Sequence, residues 1–453
     1  MLKKLTAVAI AAILAASLTA CNNTETDLKA DSSVANITAG SAIDASNLFT
    51  DRDMNQTADT SKAKSYTVSD GKNIDITSAG VYVISGTAKN VTITVDAAND
   101  DKVQLVLDGV SITNTDFPAI YVKNADKVFV TTAGENTLSV TDTFTADGDI
   151  NTDAVIFSKD DLVLNGTGSL TVCSTNNGIT GKDDLKITGG TIIIDCVKDA
   201  LEANDSIAIA DGTINITTPK DGLHAENDDN DAKGYIYICG GTLNITAGDD
   251  GIHATTIAQI DGGNFTISAA EGIEATWVQI NGGTIDISAS DDGINGARKS
   301  SQYSVVVEIN GGDITINMGQ GDTDGIDSNG DLYINGGTID VTCQSPFDYD
   351  GKAEKNGGTI IVNGEETDEI TNQFMGGPGM GGMHGGGRMP NGGMKGDMPD
   401  GSMPNGDMKG GMWGGKKPNG DMKGGMQDRH MPGGEMDGSM PQPPDTPDGT
   451  FPQ

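Results

Sequence analysis

Acids, imidazoles and aromatic rings recur along this chain at a nearly constant spacing, and the spacing decides what chemistry they can share. Asn177-Gly178-Ile179 and Asp199-Ala200-Leu201-Glu202-Ala203 are followed by Asp221-Gly222-Leu223-His224-Ala225 and Asp250-Gly251-Ile252-His253-Ala254. Then come Glu271-Gly272-Ile273-Glu274-Ala275, Asp292-Gly293-Ile294-Asn295-Gly296 and Asp324-Gly325-Ile326-Asp327. If the apolar residue of each unit points inward, the residue after it points outward by strand alternation. Stacked units then form an outward column of Thr180, Glu202, His224, His253, Glu274, Asn295 and Asp327 beside a turn column of Asn177, Asp199, Asp221, Asp250, Glu271, Asp292 and Asp324.

Carboxylates stacked ~4.8 Å apart repel by about 1 kcal/mol per pair even in water. Ca²⁺ offsets such repulsion because it gathers six to eight oxygen ligands from carboxylates, carbonyls and water. Calcium is therefore expected on Asp221, Asp249, Asp250, Asp291, Asp292, Asp322, Asp324 and Asp327, where the acids are doubled or crowded. The competing account is that each turn acid accepts hydrogen bonds from its own backbone. Two loops, Asp147 to Asp153 and Asn227 to Asp231, also alternate oxygen donors, but lack the sixth-position Gly and twelfth-position Glu of an EF-hand.

Rings form columns too. Tyr235 and Trp277 fall in one outward column two units apart, and Tyr237 and Tyr333 fall in its neighbour. Two units are ~9.6 Å, about the length of two sugars in a β-linked chain, so these rings suit stacking on a polysaccharide, with His224 and His253 facing the same ligand. Aromatic residues are also common on strands for packing alone. A lyase would need a cation on a uronate and a Lys or Arg base. Lys198, Lys220 and Arg298 lie near the acids, but Lys198 and Lys220 each directly precede a turn Asp, so local ion pairs explain them. Clustered acids also serve inverting glycosidases, so the column does not exclude hydrolysis. The expected role is binding, with a calcium-dependent lyase and a structural adhesin or matrix protein as alternatives.

The elements that position these residues follow from the repeat. The acidic position steps by 22, 22, 29, 21, 21 and 32 residues from Asn177 to Asp324. The two long steps hold insertions, at 226–234 and 297–304, and without them the period is about 22. Each unit carries three short alternating segments, such as Ile273-Glu274-Ala275, Val278-Gln279-Ile280 and Ile285-Asp286-Ile287, a pattern of strands with one buried face. No single unit can bury that face, so the units must stack. The Gly-Gly and Asp-Gly pairs are expected at turns with positive φ. The fold class is therefore all-β, a right-handed, single-stranded parallel β-helix of about 22 residues per coil, with its N-terminal coils in the less regular stretch 66–172.

The ordered motifs Ile76-Thr77-Ser78-Ala79-Gly80-Val81-Tyr82-Val83-Ile84-Ser85-Gly86-Thr87, Leu105-Val106-Leu107-Asp108-Gly109-Val110-Ser111-Ile112, Ala119-Ile120-Tyr121-Val122 and Ile156 to Gly168, with the Asp-Gly-Ile coils, carry a family resemblance. Over about 66–365 the chain resembles the carbohydrate-binding, polysaccharide-lyase-like β-helix family of bacterial surface proteins. The resemblance implies a calcium-containing right-handed β-helix, related in fold to pectate lyases, that binds plant cell-wall or acidic polysaccharides such as polygalacturonate.

The ends read differently. Lys3, Lys4, the apolar run from Thr6 to Ala16 and Leu18-Thr19-Ala20-Cys21 read as a lipoprotein signal over 1–20, with lipid on Cys21. That expectation places the protein at the cell surface, touching the membrane through its anchor only. Residues 21–65 read as a polar tether, 66–370 as the carbohydrate-binding β-helix and 371–453 as a disordered Gly/Met/Pro-rich tail. Fourteen of the 17 Met lie between Met375 and Met440, with His384 and His430 nearby; Met thioethers suit Cu(I), and a flexible interaction tail is the simpler reading. A net charge of −37 excludes nucleic acid as a natural partner. Cys173, Cys196, Cys239 and Cys343 form no CxxC pair and read as buried small hydrophobes, with a Cys173–Cys196 bridge left open by their one-coil spacing.

Overall fold

The computed structural model describes residues 43–227, 229–320 and 323–372, an all-β chain of short strands with one 3-10 turn at Ala45–Asn47. Cys21, Asp322 and the tail from residue 373 onward lie outside the described residues.

Each winding of the chain adds one strand to each of three parallel stacks, here called sheets A, B and C. Glu271–Ile280 is a continuous strand whose first half lies in sheet A and second half in sheet B, and Thr284–Ala289 follows in sheet C. The next winding repeats the arrangement in register: Ile273 pairs with Ile294, Val278 with Val307 and Ile285 with Ile314. The less regular upstream stretch follows the same rule, since Ile74 pairs with Ile93, Ile93 with Ile120, Ile120 with Ile156 and Ile156 with Ile179. Apart from the isolated bridges Ser69–Lys72 and Asp147–Ile150, pairing among the described residues turns antiparallel only at the C-terminal end, where Glu365–Thr367 folds back on Thr359–Val362. The result is a parallel, solenoid-like fold. Its core is the inward file of each sheet; in sheet A, Ile179, Leu201, Leu223, Ile252, Ile273, Ile294 and Ile326 are all fully buried. Burying such a side chain contributes about 1.5–3 kcal/mol, which is why the pattern repeats so strictly.

The glycines follow two rules rather than the single rule expected. In the Gly-Gly pairs the second glycine does adopt positive φ, as at Gly263 (+114°) and Gly283 (+101°). Of the Asp-Gly glycines, Gly109, Gly148 and Gly212 also do, but those that open the sheet A strands, Gly222, Gly251, Gly293 and Gly325, do not, and neither does Gly272 after Glu271. There the constraint is space: a Cβ on Gly272 would sit 2.4 Å from the carbonyl oxygen of Gly293 in the next coil.

Two side-chain ladders lock the coils together. From Asp261 onward, the residue before each Gly-Gly joins a ladder in which Asn281 donates to Asp261 (2.7 Å), Asn310 to Asn281 (2.8 Å), Asn335 to Asn310 (2.7 Å) and Asn356 to Asn335 (2.8 Å). The turn acids form the second. Asp199 Oδ1 accepts from the backbone N–H of Asp221, Asp221 Oδ1 from that of Asp250 and Asp292 Oδ1 from that of Asp324. The turn acids thus do accept backbone hydrogen bonds, but from the next coil, not from their own.

Of the stretch 21–65 read as a tether, residues 43–56 lie along the outer face of sheet B, and Lys64 and Ser65 already belong to the first strand, Lys64–Thr67. The backbone of Ile43 donates to Gln259 Oε1, Lys186 Nζ donates to the carbonyl of Leu48, and Gln56 bridges Gly166 and Thr188. Fully buried Asp53 lies 3.6 Å from Lys127 Nζ, and Arg52 stacks on Phe129. The four described cysteines are free thiols. Cys173 pairs in register with Asp195, so Cys196 occupies the opposite face, one thiol exposed and the other buried.

Candidate functional site

Sheet A builds the expected outward column. The register runs Thr180–Glu202–His224–His253–Glu274–Asn295–Asp327 and continues to Asp348. Glu202 accepts from Asn177 and Thr180 and pairs with Lys182 at 3.1 Å. The His224 and His253 rings stack with centroids 4.8 Å apart. His224 Nδ1 lies 3.3 Å from Asp199 Oδ2 and 3.2 Å from Asp221 Oδ2, and its Nε2 faces Glu226 at 3.2 Å. His253 Nδ1 meets Asp250 at 2.6 Å and Glu274 at 3.1 Å, and Lys299 caps Glu274 at 2.9 Å. Further along, Asn295 Nδ2 donates to Glu271 (3.0 Å), whereas its Oδ1 is buried without a hydrogen-bond partner among the described residues.

Crowding and burial hold these groups away from their ordinary ionisation. Burial, reinforced by the charge of Glu274, pushes Glu271 up to about 8. Burial likewise raises Asp292 to about 7, and raises Asp327 to about 6 with help from Asp348. Asp221, also mainly through burial, rises to about 6. Burial alone would lower the His224 imidazole, but contact with Asp199 and the charges of Asp221, Asp199 and Glu226 outweigh it and carry it up to about 9. Every one of these groups binds protons more tightly folded than unfolded. The stability they carry is therefore full at low pH and is lost as pH rises through the folded values. In a chelating buffer the thermal midpoint should fall steadily between about pH 5 and about pH 9, as calorimetry across that range would read. A flat or rising profile would show that the column is not crowded in this way.

Several expected ligands have other roles. The half-exposed side chain of Asp249 pairs with Lys220 at 2.6 Å, so the close ion pair of that lysine is to the next coil and not to the adjacent turn acid Asp221. Asp291 is exposed. His224 and His253 lie among carboxylates, with both ring nitrogens of His224 and Nδ1 of His253 within 3.3 Å of carboxylate oxygens.

Sheet B corrects the aromatic columns in a similar way. Tyr237 is aligned with Tyr333 through Gln259, Gln279 and Glu308, as expected. It is only 4% exposed, however, because Phe49 of the N-terminal stretch packs on it (centroids 6.4 Å) and its hydroxyl donates to Asp261 at 2.8 Å. Tyr237 is therefore not a stacking platform. Half-buried Tyr235 lies close to Asp184 and Asp205.

Trp277 and Tyr333 meet instead in a groove of about 460 Å³ on sheet B, with Tyr303, Gln302, Glu308, Asp331, Glu354, Asn335 and Asn356. Trp277 forms a largely buried part of its wall, and its indole Nε1 has no hydrogen-bond partner among the described residues. The Tyr333 hydroxyl donates to Asp331 at 3.0 Å, and Lys352 Nζ lies 5.8 Å from the ring centroid. Tyr303 comes from the second insertion, which the first insertion holds in place. Ser301 donates to Asp231 at 2.6 Å, Gln302 donates to Asp231 at 3.1 Å, and the Tyr303 hydroxyl donates to the carbonyl of Ala232 at 3.3 Å. The clasped loops rise between the two surfaces, sending Lys299 to the acid column and Tyr303 to the groove. Reading by period sets such insertions aside, so Tyr303 was not anticipated; Glu308, Asp331 and Glu354 lie on the regular coils, where nothing in their type set them apart from the other outward acids. The one signal for Tyr303 was an aromatic residue inside a break in the repeat.

Comparison with known proteins agrees with this geometry. The family model of carbohydrate-binding domain-containing proteins matches residues 70–323 and 269–373. A carbohydrate-binding domain-containing protein of Acetivibrio thermocellus is 41% identical over 128 residues, covering 27% of this chain and 45% of that protein. The chain thus spans less than half the length of that relative. Among solved structures, a polysaccharide lyase-like protein from C. thermocellum, as its gadolinium derivative, is 34% identical, covers 49% of this chain and 96% of its own, and superposes with a TM-score of 0.44. The matched segments take in the acid and imidazole column and the groove alike, and the chain belongs to the carbohydrate-binding domain-containing protein family.

Proposed function

We propose that this protein binds polysaccharide chains in the groove lined by Trp277, Tyr303 and Tyr333, without cleaving them. The observation that carries the reading is the composition of that groove: three aromatic rings among carboxylates and side-chain amides. Rings supply flat apolar area for sugar faces, while amides and carboxylates take hydroxyl hydrogen bonds.

The favoured ligand is an acidic glycan such as polygalacturonate. Glu308, Asp331 and Glu354 repel a uronate on their own, so the reading includes calcium bridging protein and ligand carboxylates, with Lys352 adding positive charge at the rim. A structural calcium fits the end of the acid column. Asp292, Asp324 and Asp327 supply carboxylates there, and the unpartnered Oδ1 of buried Asn295 supplies a neutral oxygen. The same reading includes a right-handed, single-stranded winding, the hand that parallel crossover connections adopt almost always. It also includes a lipid on Cys21 that displays the solenoid at the cell surface.

Affinity electrophoresis on polygalacturonate and on neutral glucans, with calcium and with chelator, tests this reading. Retardation on polygalacturonate only with calcium is expected, together with no rise in ultraviolet absorbance from unsaturated product. Steady product formation would make the protein a lyase, and no retardation on any glycan would favour a structural role.

A further inference from the structure

The two turn acids beside His224 use their oxygens unequally. Asp199 and Asp221 each give Oδ1 to the backbone N–H of the next coil, at 3.2 and 2.9 Å. Each leaves Oδ2 directed at one nitrogen, His224 Nδ1, at 3.3 and 3.2 Å. That nitrogen is buried, yet neither contact has hydrogen-bond alignment, so it is without a hydrogen-bond partner among the described residues. The three donor atoms all lie within 4.8 Å of one another. An ion with bonds of ~2.1 Å holds ligands 90° apart at about 3.0 Å, close to the nitrogen–oxygen separations here. On the far side of the ring, Nε2 faces Glu226 Oε2 at 3.2 Å. This is the carboxylate–histidine arrangement that fixes the tautomer of a metal-bound imidazole.

We propose that Asp199, Asp221 and His224 form a site for a first-row divalent transition ion of the Zn²⁺ or Co²⁺ class, with Glu226 orienting the imidazole. The donor set selects against calcium, which takes many oxygens, whereas imidazole with carboxylates suits the borderline ions. Solvent completes the coordination, since the site lies on the outward face of sheet A. His253 stacks beneath but is already held by Asp250 and Glu274, so it is not a ligand. The site stands apart from the aromatic groove and does not depend on the glycan reading.

The test uses the full-length chain, stripped with chelator, carrying His384→Asn and His430→Asn so that His224 and His253 are the only imidazoles left in the sequence. Titration with CoCl₂ or ZnCl₂ in millimolar calcium should show one ion per chain, with visible cobalt absorption characteristic of nitrogen ligation. Added His224→Asn should abolish that spectrum and weaken binding at least tenfold. Glu226→Gln, an exposed change that spares the fold, should weaken binding by roughly tenfold as loss of an outer partner does. Binding unaltered by both variants, no binding, or displacement by calcium would each overturn the proposal.

Discussion

Gly272→Ala should be among the most damaging single-methyl changes in this protein, costing about 2–3 kcal/mol of stability. The added Cβ would lie 2.4 Å from the Gly293 carbonyl oxygen and 2.6 Å from Cγ2 of Ile287. The first of these is the backbone of the next coil and cannot rotate away. It moves only if the stack opens, which strains the hydrogen bonds of sheet A on both sides. Gly251 and Gly293 face the same obstacle, their Cβ atoms meeting the carbonyls of Gly272 at 2.6 Å and Gly325 at 2.4 Å. Gly148→Ala is the control, because that glycine has φ of +63° and nothing within 4 Å. Its cost is conformational only, roughly 1–2 kcal/mol. Coils of a solenoid need not unfold together, so the onset of the thermal transition and local hydrogen exchange around 271–296 are the proper readouts. Wild-type behaviour of Gly272→Ala would mean that the coils are not stacked this closely.

The second large effect belongs to the groove. Tyr333→Ala and Tyr303→Ala should each weaken polysaccharide binding about tenfold, which is about 1.4 kcal/mol, while leaving the thermal midpoint nearly unchanged. Both rings stand on the rim, and neither belongs to the inward file that holds the coils together. Tyr237→Phe separates this from a general effect of sheet B aromatics. It removes the hydroxyl that donates to Asp261 but keeps the ring beneath Phe49, so binding should persist. Isothermal titration with a defined oligosaccharide gives all three numbers. Equal loss in Tyr237→Phe, or none in Tyr333→Ala and Tyr303→Ala, would move the ligand away from this groove.

What the chain determined by sequence alone is the part governed by period. Strand alternation and a spacing of about 22 residues place Ile273 over Ile294 and His224 over His253, whatever surrounds them, because each coil must bury one face against the next. The column of outward acids was legible for that reason, and so was the alignment of Tyr237 with Tyr333. Period says nothing about what covers an outward file. Only the tertiary structure shows that residues 43–56 lie over sheet B and remove Tyr237 from solvent, or that the glycines opening the sheet A strands are set by a neighbouring carbonyl and not by φ. The same holds for Tyr303. Its place beside Trp277 depends on Asp231 holding Ser301 and Gln302 about 70 residues away, a contact between two insertions that no repeat encodes.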